Sequence, residues 1–493
     1  MKALAAALLL VLPAAARGQS ITESLQPEYA ERRAQLARGV DDGVILVLGG
    51  REPEKDYLQF FQSPSLYYLT GFREPNGALV MVKDGDAVRA TMYVSPRDPA
   101  REAWTGARLG TAGVSRVTGM ASREADELIP DLDTLLRGGR PLMIVTDPGE
   151  APRPAWLPPV EALFVDTLQA RLPGLRVVDL TPRLQRQRAV KSPSELALIR
   201  HAAALTVRAH REAMQAVEPG VNEFELQALI EYTFRRNGAD RPGFASIVGS
   251  GANATTLHYN TNDGYLQPGD LVVMDIGALY KGYSADVTRT VPVSGTFSAP
   301  QRAIYTIVRD AQAAAERQVR IGGSAQQMQD SSDATLAAGL AELGLIDAPD
   351  ATYDCGRRRR CHQATLFTMH GLSHGIGLEV HDPEAWYFGG TFANGSAFTI
   401  EPGLYVRRNL LDDVIPRTPA NEPYRRRLAK LLPRYANIGV RIEDDYIVTD
   451  AGVEWISRAP REIDEIESLM RGGYAGPAGR ESPLVELYRR DVP

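Results

Sequence analysis

Cysteine and histidine are scarce in this chain of 493 residues, which has two cysteines and seven histidines. Two thiolates alone do not make a structural zinc site, because such a site normally takes four ligands. Cys355 and Cys361 flank one glycine and four arginines, and in an oxidising compartment they could close this small loop. We predict a structural disulfide between Cys355 and Cys361; the alternative is two free surface thiols.

Positive charge is not in excess either, since the formal net charge is −6 and the pI is near 5.8. Proteins that bind nucleic acid usually carry a basic footprint, so we predict no nucleic-acid partner. After the N-terminus, no stretch approaches the roughly 20 apolar residues of a transmembrane helix. We therefore predict no membrane span.

The one long apolar run lies at the N-terminus. It covers residues 3–16, follows a single lysine and has small residues at Ala14 and Ala16, which is the pattern of a signal peptide. A buried N-terminal helix is the alternative. We predict a signal peptide over residues 1–18 and export to the periplasm or the medium.

The first half of the chain predicts an α/β domain over residues 20–185, as part of a chain long enough for two or three domains. Short apolar runs bounded by Gly, Asp or Pro predict strands, and periodic stretches predict helices between or after them. The predicted strands cover 43–48, 78–82, 90–94 and 142–146, and the predicted helices 20–38, 122–129 and 159–172. Without a histidine or a close cluster of acids, this half is expected to shape a cleft or an oligomer contact.

A strong helix start marks the second domain. Ser192 and Glu195 form a capping-box pattern around Pro193, and Asn222 with Glu225 repeats it at a second helix. The predicted helices end near residues 217 and 237, and a similar pair is predicted at 300–320 and 324–343. Strand-like sequence follows each pair, which predicts an internally duplicated α+β domain over residues 186–470 and a C-terminal tail over 471–493.

Three of the seven histidines lie together at His370, His374 and His381. Imidazole binds transition metals and transfers protons near neutral pH. Three glycines in the same segment argue against a helix, so we predict a glycine-rich turn that leads into a strand. These histidines alone are explained equally well by a structural role, and the acids of the chain decide between the two.

Asp275 and Asp286 each lie in apolar, strand-like sequence. If the two strands pair around a turn centred on Tyr280 and Lys281, the two aspartates are directly opposite, with Cβ atoms about 5 Å apart. Buried carboxylates at that distance repel each other unless a cation lies between them. The alternative is two aspartates that merely flank a turn.

Glu401 and Glu443 occur in similar apolar runs. The predicted ligand set is therefore Asp275, Asp286, His374, Glu401 and Glu443. Four carboxylates and one neutral imidazole carry a charge of −4, which two divalent cations neutralise. Oxygen-rich ligation favours Mn²⁺, with Zn²⁺ or Co²⁺ as alternatives, and two metals about 3.5–4 Å apart activate a shared water for hydrolysis.

Several motifs resemble those of aminopeptidase P and prolidase, the pita-bread metallopeptidases. The motifs are HGLSHGIGLEVHD, MDIGALYKGYSADVTRT, TIEPGLYV and GVRIEDD, together with IVGSGANATTLHY, the RxxKSPxEL start at 188–196 and YYLTGFREPNGALVMV. The likeness extends from about residue 57 to residue 470. It implies an α/β N-terminal domain of the aminopeptidase P type followed by a duplicated pita-bread catalytic domain.

The resemblance also implies roles for individual residues. It implies the same five metal ligands, with Glu401 bridging two metals and accepting the proton of the attacking water. His258 and His381 are implied to contact the substrate near the scissile bond, and His370 to assist in proton transfer. The resemblance thus adds His258 to the candidate site residues, because residue patterns alone do not distinguish it from an ordinary loop histidine.

Tyr405 and Arg441 are implied to orient Asp275 and its neighbours. The family's substrates are peptides with proline at the second position, so the implied reaction is hydrolysis of the bond before that proline. A prolidase restricted to dipeptides is the near alternative. A catalytically inactive binding protein of the same fold, and a metal-free enzyme acting on creatine-like molecules, would lack ligands that are present here. Family analogy predicts a homo-oligomer, either a dimer or a tetramer.

The chain departs from the family pattern at residues 61–65, 350–362 and 409–437. The run of arginines at 357–360 is the most unusual of these features. Such a run is usually a solvated loop. The sharper hypothesis is that it binds the carboxyl end of the peptide substrate.

Overall fold

The computed structural model describes residues 25–147, 158–357, 359–383 and 390–477. Compactness divides the chain into a first unit that ends at Asp179 and a second unit over Leu180–Val485, close to the predicted boundary at residue 186. The predicted signal peptide lies outside the described residues, as does most of the predicted tail. Among the described residues, none of the helices has the length and apolar character that crossing a bilayer requires.

The first unit contains a mixed sheet with helices packed on it. Its strands are β1 (Gly43–Leu48), β2 (Ala78–Asp84), β3 (Ala87–Val94), β4 (Ala121–Glu124), β5 (Leu142–Val145) and β6 (Val177–Asp179). Its helices are α1 (Gln26–Ala37), α2 (Pro64–Thr70), α3 (Pro99–Thr105), α4 (Gly110–Thr118), α5 (Leu128–Leu136) and α6 (Val160–Arg171). The strand order is β4-β3-β2-β1-β5-β6, with β1 antiparallel to β2 and parallel to β5.

The apolar sequence of β1 follows from its central place in this sheet. Val44 and Leu46 pack against Leu132 of α5 and Leu168 of α6, and all four side chains are buried. A strand covered on both faces needs apolar residues at successive positions rather than at alternate ones. The sequence therefore predicted this strand correctly, to the residue.

The helix predicted over residues 122–129 begins too early. Ala121–Glu124 is strand β4, which pairs in parallel with β3. A single 3₁₀ turn over Ala125–Glu127 follows, closed by a capping box between Glu124 and Glu127. Helical structure thus begins only after Glu124, because the edge strand takes the residues before this cap.

The second unit alternates helix pairs with short strands. Its helices are α7 (Thr181–Arg188), α8 (Pro193–Ala216), α9 (Glu223–Arg236), α10 (Ala299–Glu316), α11 (Ala325–Glu342), α12 (Glu422–Tyr435) and α13 (Ile463–Arg471). Its strands are β7 (Arg241–Pro242), β8 (Ile247–Ser250), β9 (Leu271–Ile276), β10 (Ala278–Tyr280), β11 (Tyr283–Ser284), β12 (Val287–Pro292), β13 (Thr352–Asp354), β14 (Arg360–His362), β15 (Ala397–Ile400), β16 (Gly403–Val406), β17 (Ile438–Arg441), β18 (Asp444–Thr449) and β19 (Gly452–Trp455).

Both halves of this unit repeat one order, in which two packed helices precede strands. Helix α8 packs on α9 and helix α10 on α11, and each pair leads into sheet sequence. The predicted capping boxes are present: Ser192 Oγ accepts from Glu195 N at 3.2 Å and Asn222 Oδ1 accepts from Phe224 N at 3.1 Å. The helix predicted over 300–320 ends earlier, at Glu316. The duplicated α+β architecture is thus as predicted.

The pairing of β9 with β12 differs from the prediction by its turn. Asp275 lies opposite Thr288, so that Asp286 is its diagonal neighbour on the same face. The two-residue turn is Lys281-Gly282, where both residues have positive φ (51° and 86°). A tight hairpin turn of this kind needs φ > 0 at both central residues. The glycine at position 282 therefore moves the turn one residue along the chain from its predicted centre.

A second antiparallel ladder, whose two sides are joined by a long connection, carries the two glutamates. Ile400 of β15 pairs with Asp444 of β18, and Gly403 of β16 pairs with Arg441 of β17. The continuous runs predicted at 397–406 and 438–448 are each interrupted, and both interruptions fall at the same level of the ladder. Glu401 and Glu443 lie at these interruptions, so they are opposite each other in the ladder.

Candidate active site

The histidine segment runs beside β15. Backbone bonds join His374 O to Thr399 N at 2.9 Å and Ile376 N to Ala397 O at 3.1 Å. The segment contains a turn but, apart from one isolated bridge at Gly375, no strand, so the predicted strand is wrong. The predicted absence of a helix is correct.

His374 is the residue around which the acids converge. Its Nε2 lies 3.5 Å from Asp286 Oδ2, 3.4 Å from Glu401 Oε1 and 3.7 Å from Glu443 Oε1. Ligand atoms of Asp286, His374 and Glu443 all lie within 4.8 Å of one another. Nδ1–H of His374 donates to the carbonyl of Gly375 at 3.1 Å, which turns Nε2 towards the carboxylates, where its lone pair would be available to a cation bound among them.

The other predicted ligands, the three histidines implied by the resemblance and Arg441 line one cavity, whereas Tyr405 lies behind it. Its volume is about 220 Å³, and it lies wholly within the second unit. Its lining consists of Leu257, His258, Asp275, Asp286, His370, Gly371, Ser373, His374, His381, Glu401, Arg441 and Glu443. All five predicted metal ligands and all three histidines implied by the resemblance are therefore brought together.

Three carboxylate oxygens in this cluster test whether metal ions fit. Asp275 Oδ1, Asp286 Oδ1 and Glu443 Oε1 are buried and have no hydrogen-bond donor among the described residues. A buried carboxylate oxygen without a donor is costly. Carboxylate oxygens and one imidazole form the donor set of hard to borderline divalent cations, so the residues present fit a divalent metal centre.

The protonation of these groups follows from burial and mutual repulsion. Burial, together with the charge of Glu443, raises the pKa of Asp286 well above its usual value and that of Glu401 to about 8. Burial alone would lower the pKa of His374, but its bonds to Asp286 and Glu443 raise it well above 6.5. For the protein groups alone, the cluster thus disfavours simultaneous ionisation of its carboxylates.

Arg441 and Tyr405 connect the acids to His370. Arg441 Nη2 donates to Asp275 Oδ2 at 2.5 Å, and Arg441 Nη1 donates to Tyr405 Oη at 2.8 Å. Tyr405 O–H lies 2.8 Å from His370 Nε2, and His370 Nδ1–H donates to Gly371 O. Burial and the charge of Arg441 lower the pKa of His370 to about 4, so its ring is neutral. Its Nε2 therefore accepts a hydrogen bond from the hydroxyl of Tyr405.

His381 packs against His374, with the two rings tilted by 47°. The ring centroids are 4.1 Å apart, and burial with the charge of His374 lowers the pKa of His381 to about 3. His381 is therefore a neutral ring at the wall of the cavity. His258 reaches the same cavity from a loop that follows β8.

Thr288 and Arg289 of β12 also support the site, and residue patterns did not single them out. Thr288 Oγ1 donates to Glu443 Oε2 at 2.6 Å and accepts from Arg441 Nε at 3.1 Å. Arg289 Nη1 donates to the carbonyl of Glu443 at 2.7 Å. An arginine inside an apolar strand was the available signal, because such a residue must find buried acceptors.

The cysteines lie in a hairpin of β13 and β14. The structure places a disulfide between Cys355 and Cys361. Of the neighbouring arginines, Arg358 lies outside the described residues and Arg360 donates to Thr352 Oγ1 and O. Binding of a peptide carboxylate by this run stays a hypothesis.

Comparison with known proteins follows the same division of the chain. The model of metallopeptidase family M24 matches residues 197–450, and that of the aminopeptidase P N-terminal domain matches residues 29–143. The Xaa-Pro aminopeptidase of Haemophilus influenzae is 32% identical over 459 residues, covering 90% of this chain and 97% of the relative. The Xaa-Pro dipeptidase of Homo sapiens is 30% identical over 470 residues, covering 88% of this chain and 90% of the relative.

Solved structures give the same likeness. Aminopeptidase P from Escherichia coli with the inhibitor Pro-Leu, and its Zn-substituted form with product, are each 30% identical. Each aligns with a TM-score of 0.75 over 91% of this chain and 98% of the other. Fold and site together define a metallopeptidase with a pita-bread catalytic domain. The chain belongs to metallopeptidase family M24 and carries the N-terminal domain of the aminopeptidase P type.

Proposed function

We propose that the protein is an Xaa-Pro aminopeptidase, which hydrolyses the bond between an N-terminal residue and a following proline. One observation carries the proposal: four carboxylates and His374 meet in a cavity where three buried oxygens have no hydrogen-bond donor among the described residues. The chain that folds into this cavity aligns over 90% of its length with a relative of that activity.

Asp275, Asp286, His374, Glu401 and Glu443 would hold two divalent ions, with Mn²⁺ as the first choice. When bound, such ions would supply Lewis-acid chemistry, lowering the pKa of a water molecule and polarising the scissile carbonyl. The N-terminal amine of the peptide would find a complementary negative charge in the same cluster. Removal of one residue at a time is the expected result.

The protein groups divide the remaining work. We assign to Glu401 the role of accepting the proton released by the attacking water. Its Oε2 also lies 3.4 Å from His370 Nδ1. The nitrogen that leaves a bond before proline must gain a proton, for which Glu401 is the donor in the second half of the reaction. His258 and His381 would donate hydrogen bonds to the peptide near the scissile carbonyl.

Peptide hydrolysis by the purified full chain tests the proposal. We expect release of the first residue from Xaa-Pro-Xaa tripeptides, no release from matched Xaa-Ala-Xaa peptides, loss of activity on chelation and recovery with Mn²⁺. Zn²⁺ and Co²⁺ reconstitution identifies the preferred metal. Activity that survived complete removal of metal, or equal cleavage of the alanine peptides, would contradict the proposal.

A prolidase is the second candidate, since a human Xaa-Pro dipeptidase is 30% identical over 88% of this chain. Xaa-Pro dipeptides and Xaa-Pro-Xaa tripeptides with the same first residue separate the two activities. An aminopeptidase cleaves the tripeptide efficiently. Cleavage of the dipeptide alone would favour the prolidase.

Export and self-association also belong to the proposal. The sequence pattern of residues 1–18 supports cleavage of a signal peptide, and N-terminal sequencing of the mature protein in cell fractions tests it. Family analogy supports a homodimer or homotetramer. Light scattering tests this against the chain mass of 53.8 kDa.

A further inference from the structure

The loop that carries His258 has little regular structure of its own. It leaves β8 at Ser250, makes one 3₁₀ turn over Asn253–Thr255 and returns to an isolated bridge at Tyr265. Residues 256–264 form neither helix nor strand. We call residues 250–264 the His258 loop. Its position must be fixed by side-chain contacts rather than by a ladder of backbone bonds.

Glu223 supplies contacts to both ends of the His258 loop. This side chain, at the first turn of α9, is fully buried. Its Oε1 accepts from Ser250 N at 2.6 Å, Ser250 Oγ at 2.7 Å and Asn253 Nδ2 at 3.1 Å. Its Oε2 accepts from Gly264 N at 2.7 Å. One carboxylate therefore joins the start of the loop to its end, through donors that are all uncharged.

The backbone at Gly264 is fitted to this carboxylate. A Cβ at Gly264 would lie 2.9 Å from each carboxylate oxygen of Glu223, closer than real Cβ contacts allow. The adjoining backbone is paired as well, since Glu223 N donates to Gly264 O at 2.9 Å and Asn222 Nδ2 donates to Asp263 O at 3.1 Å. The start of α9 is thus built to hold the end of the loop.

The middle of the His258 loop is held from the side of the metal centre. A Cβ at Gly439 of β17 would lie 2.0 Å from Ala254 O, so the loop rests directly on that strand. Arg441 Nη2 donates to Leu257 O at 3.3 Å, next to His258. The stretch before His258 is thus held by β17 and Arg441, and the stretch after it is held at Gly264 by Glu223.

We propose that Glu223 is a positioning residue that fixes the His258 loop by joining Ser250, Asn253 and Gly264, and so places His258 against the bound peptide. The inference rests on the proposed function, in which His258 contacts the substrate. Glu223 itself is not among the residues that line the cavity, so it acts on the reaction only through the loop.

The test compares Glu223→Gln with Glu225→Gln in the full chain. Glu225 lies on the same helical turn and accepts from Asn222 N at 3.1 Å, so it is a matched carboxylate whose contact is confined to the helix cap. We expect Glu223→Gln to lower kcat/KM for an Xaa-Pro tripeptide by about tenfold or more, with metal content unchanged. Glu225→Gln should keep the activity of the unmodified protein.

A double-mutant cycle with His258→Ala distinguishes positioning from general damage. If Glu223 acts through His258, the pair Glu223→Gln/His258→Ala should be no slower than His258→Ala alone, because coupled residues are not additive. Effects that multiply would overturn the proposal. Asn253→Ala, which removes one donor to the carboxylate, serves as the second variant if Glu223→Gln does not fold.

Hydrogen exchange provides a readout that does not depend on activity. Amides of residues 250–264 should exchange about tenfold faster in Glu223→Gln, whereas amides of β9 and β12 keep their rates. Unchanged exchange in the loop would overturn the proposal. If the unmodified protein cleaves no Xaa-Pro peptide, the proposed function fails, and the exchange rates still decide whether Glu223 fixes the loop.

Discussion

Two neighbouring clusters of buried charge in the second unit are balanced in opposite ways. The carboxylate cluster consists of Asp275, Asp286, Glu401 and Glu443, and the arginine cluster of Arg289, Arg461, Asp444 and Glu316. The two clusters meet at the adjacent residues Glu443 and Asp444, which are 1% and 0% exposed. Similar burial and adjacent position therefore do not explain the difference between them.

The difference lies in the partners of each acid. Asp444 Oδ1 accepts from Arg289 Nη2 at 2.6 Å, and Asp444 Oδ2 accepts from Arg461 Nη1 at 3.0 Å. Two arginines and two acids leave the arginine cluster neutral. Glu443 instead has an oxygen without a donor among the described residues. Arginine neutralises the acids of one cluster, whereas in the other Arg441 pairs with Asp275 and buried oxygens of Asp286 and Glu443 are left without a donor among the described residues, which suits a cation.

The largest expected effect is on activity, from Glu443→Gln. Loss of this ligand should lower the rate of Xaa-Pro cleavage by more than about 100-fold, since even the partners of metal ligands contribute 10–100-fold. Although burial acts the other way, His374, Arg441 and Thr288 lower the pKa of Glu443 to about 2 in the folded chain, so loss of its charge should lower the unfolding free energy of the metal-free protein. Peptide assays and urea titrations measure both. Full activity in this variant would remove Glu443 from the metal centre.

The neighbouring change Asp444→Asn should act on stability. It leaves Arg289 and Arg461 buried without their carboxylate, and breaking such a pair costs about 3 kcal/mol or more in unfolding free energy. Glu422→Gln is the control, because its pair with Arg426 is exposed and is worth less than about 1 kcal/mol. Equal losses in the two variants would show that the arginine cluster is not special.

The next largest effect is the response of the unfolding free energy to metal removal, which should differ between variants of the two clusters. A metal present at 100 times its Kd stabilises the folded chain by about 2.7 kcal/mol, so chelation should lower the unfolding free energy of the unmodified protein by about that amount. Asp444→Asn should keep this response and Glu443→Gln should lose most of it. Thermal unfolding with and without chelator measures the response. An identical response in both variants would contradict the comparison.

The smallest expected effect concerns His210, a buried histidine of α8 whose Nε2–H donates to Val287 O at 2.8 Å. Burial and the charge of Arg289 lower its pKa to about 3, below the value near 6.5 in the unfolded chain. Below pH 6.5 the unfolded chain takes up a proton on His210 that the folded chain does not, so the unfolding free energy falls as the pH falls. Between pH 7 and 5 the unmodified protein should lose about 2 kcal/mol more than His210→Gln, measured by urea unfolding. Parallel pH curves would contradict the assignment.

The sequence predicted those site residues whose local setting is anomalous. Acids within apolar runs identified Asp275, Asp286, Glu401 and Glu443, because buried carboxylates need partners. Asp275 and Asp286 were predicted to lie directly opposite each other and are instead diagonal neighbours. The reason is that Gly282 places the turn one residue later in the chain.

Other features depend on contacts between distant parts of the chain. His258 carries no local signal, because its place is fixed by residues such as Glu223 and Arg441 that lie far away in sequence. Arg289 was missed although it stands in an apolar strand, since its acceptors come from residues more than 150 positions later. Its burial is therefore a property of the folded chain and not of its own strand.

The ladder between β15–β16 and β17–β18 has a consequence for how the enzyme can vary. It fixes Glu401 opposite Glu443 by backbone pairing on either side of them, whereas of the 31 described residues between Val406 and Ile438 only Asn437 bonds to the ladder, donating its N–H to Val406 O at 2.8 Å. The register of the two carboxylates therefore does not depend on the length of this connection, although buried side chains such as Leu410 and Leu428 anchor it to the core. We expect insertions at its exposed positions to leave Glu401 opposite Glu443, and deletion of α12 to cost stability rather than register.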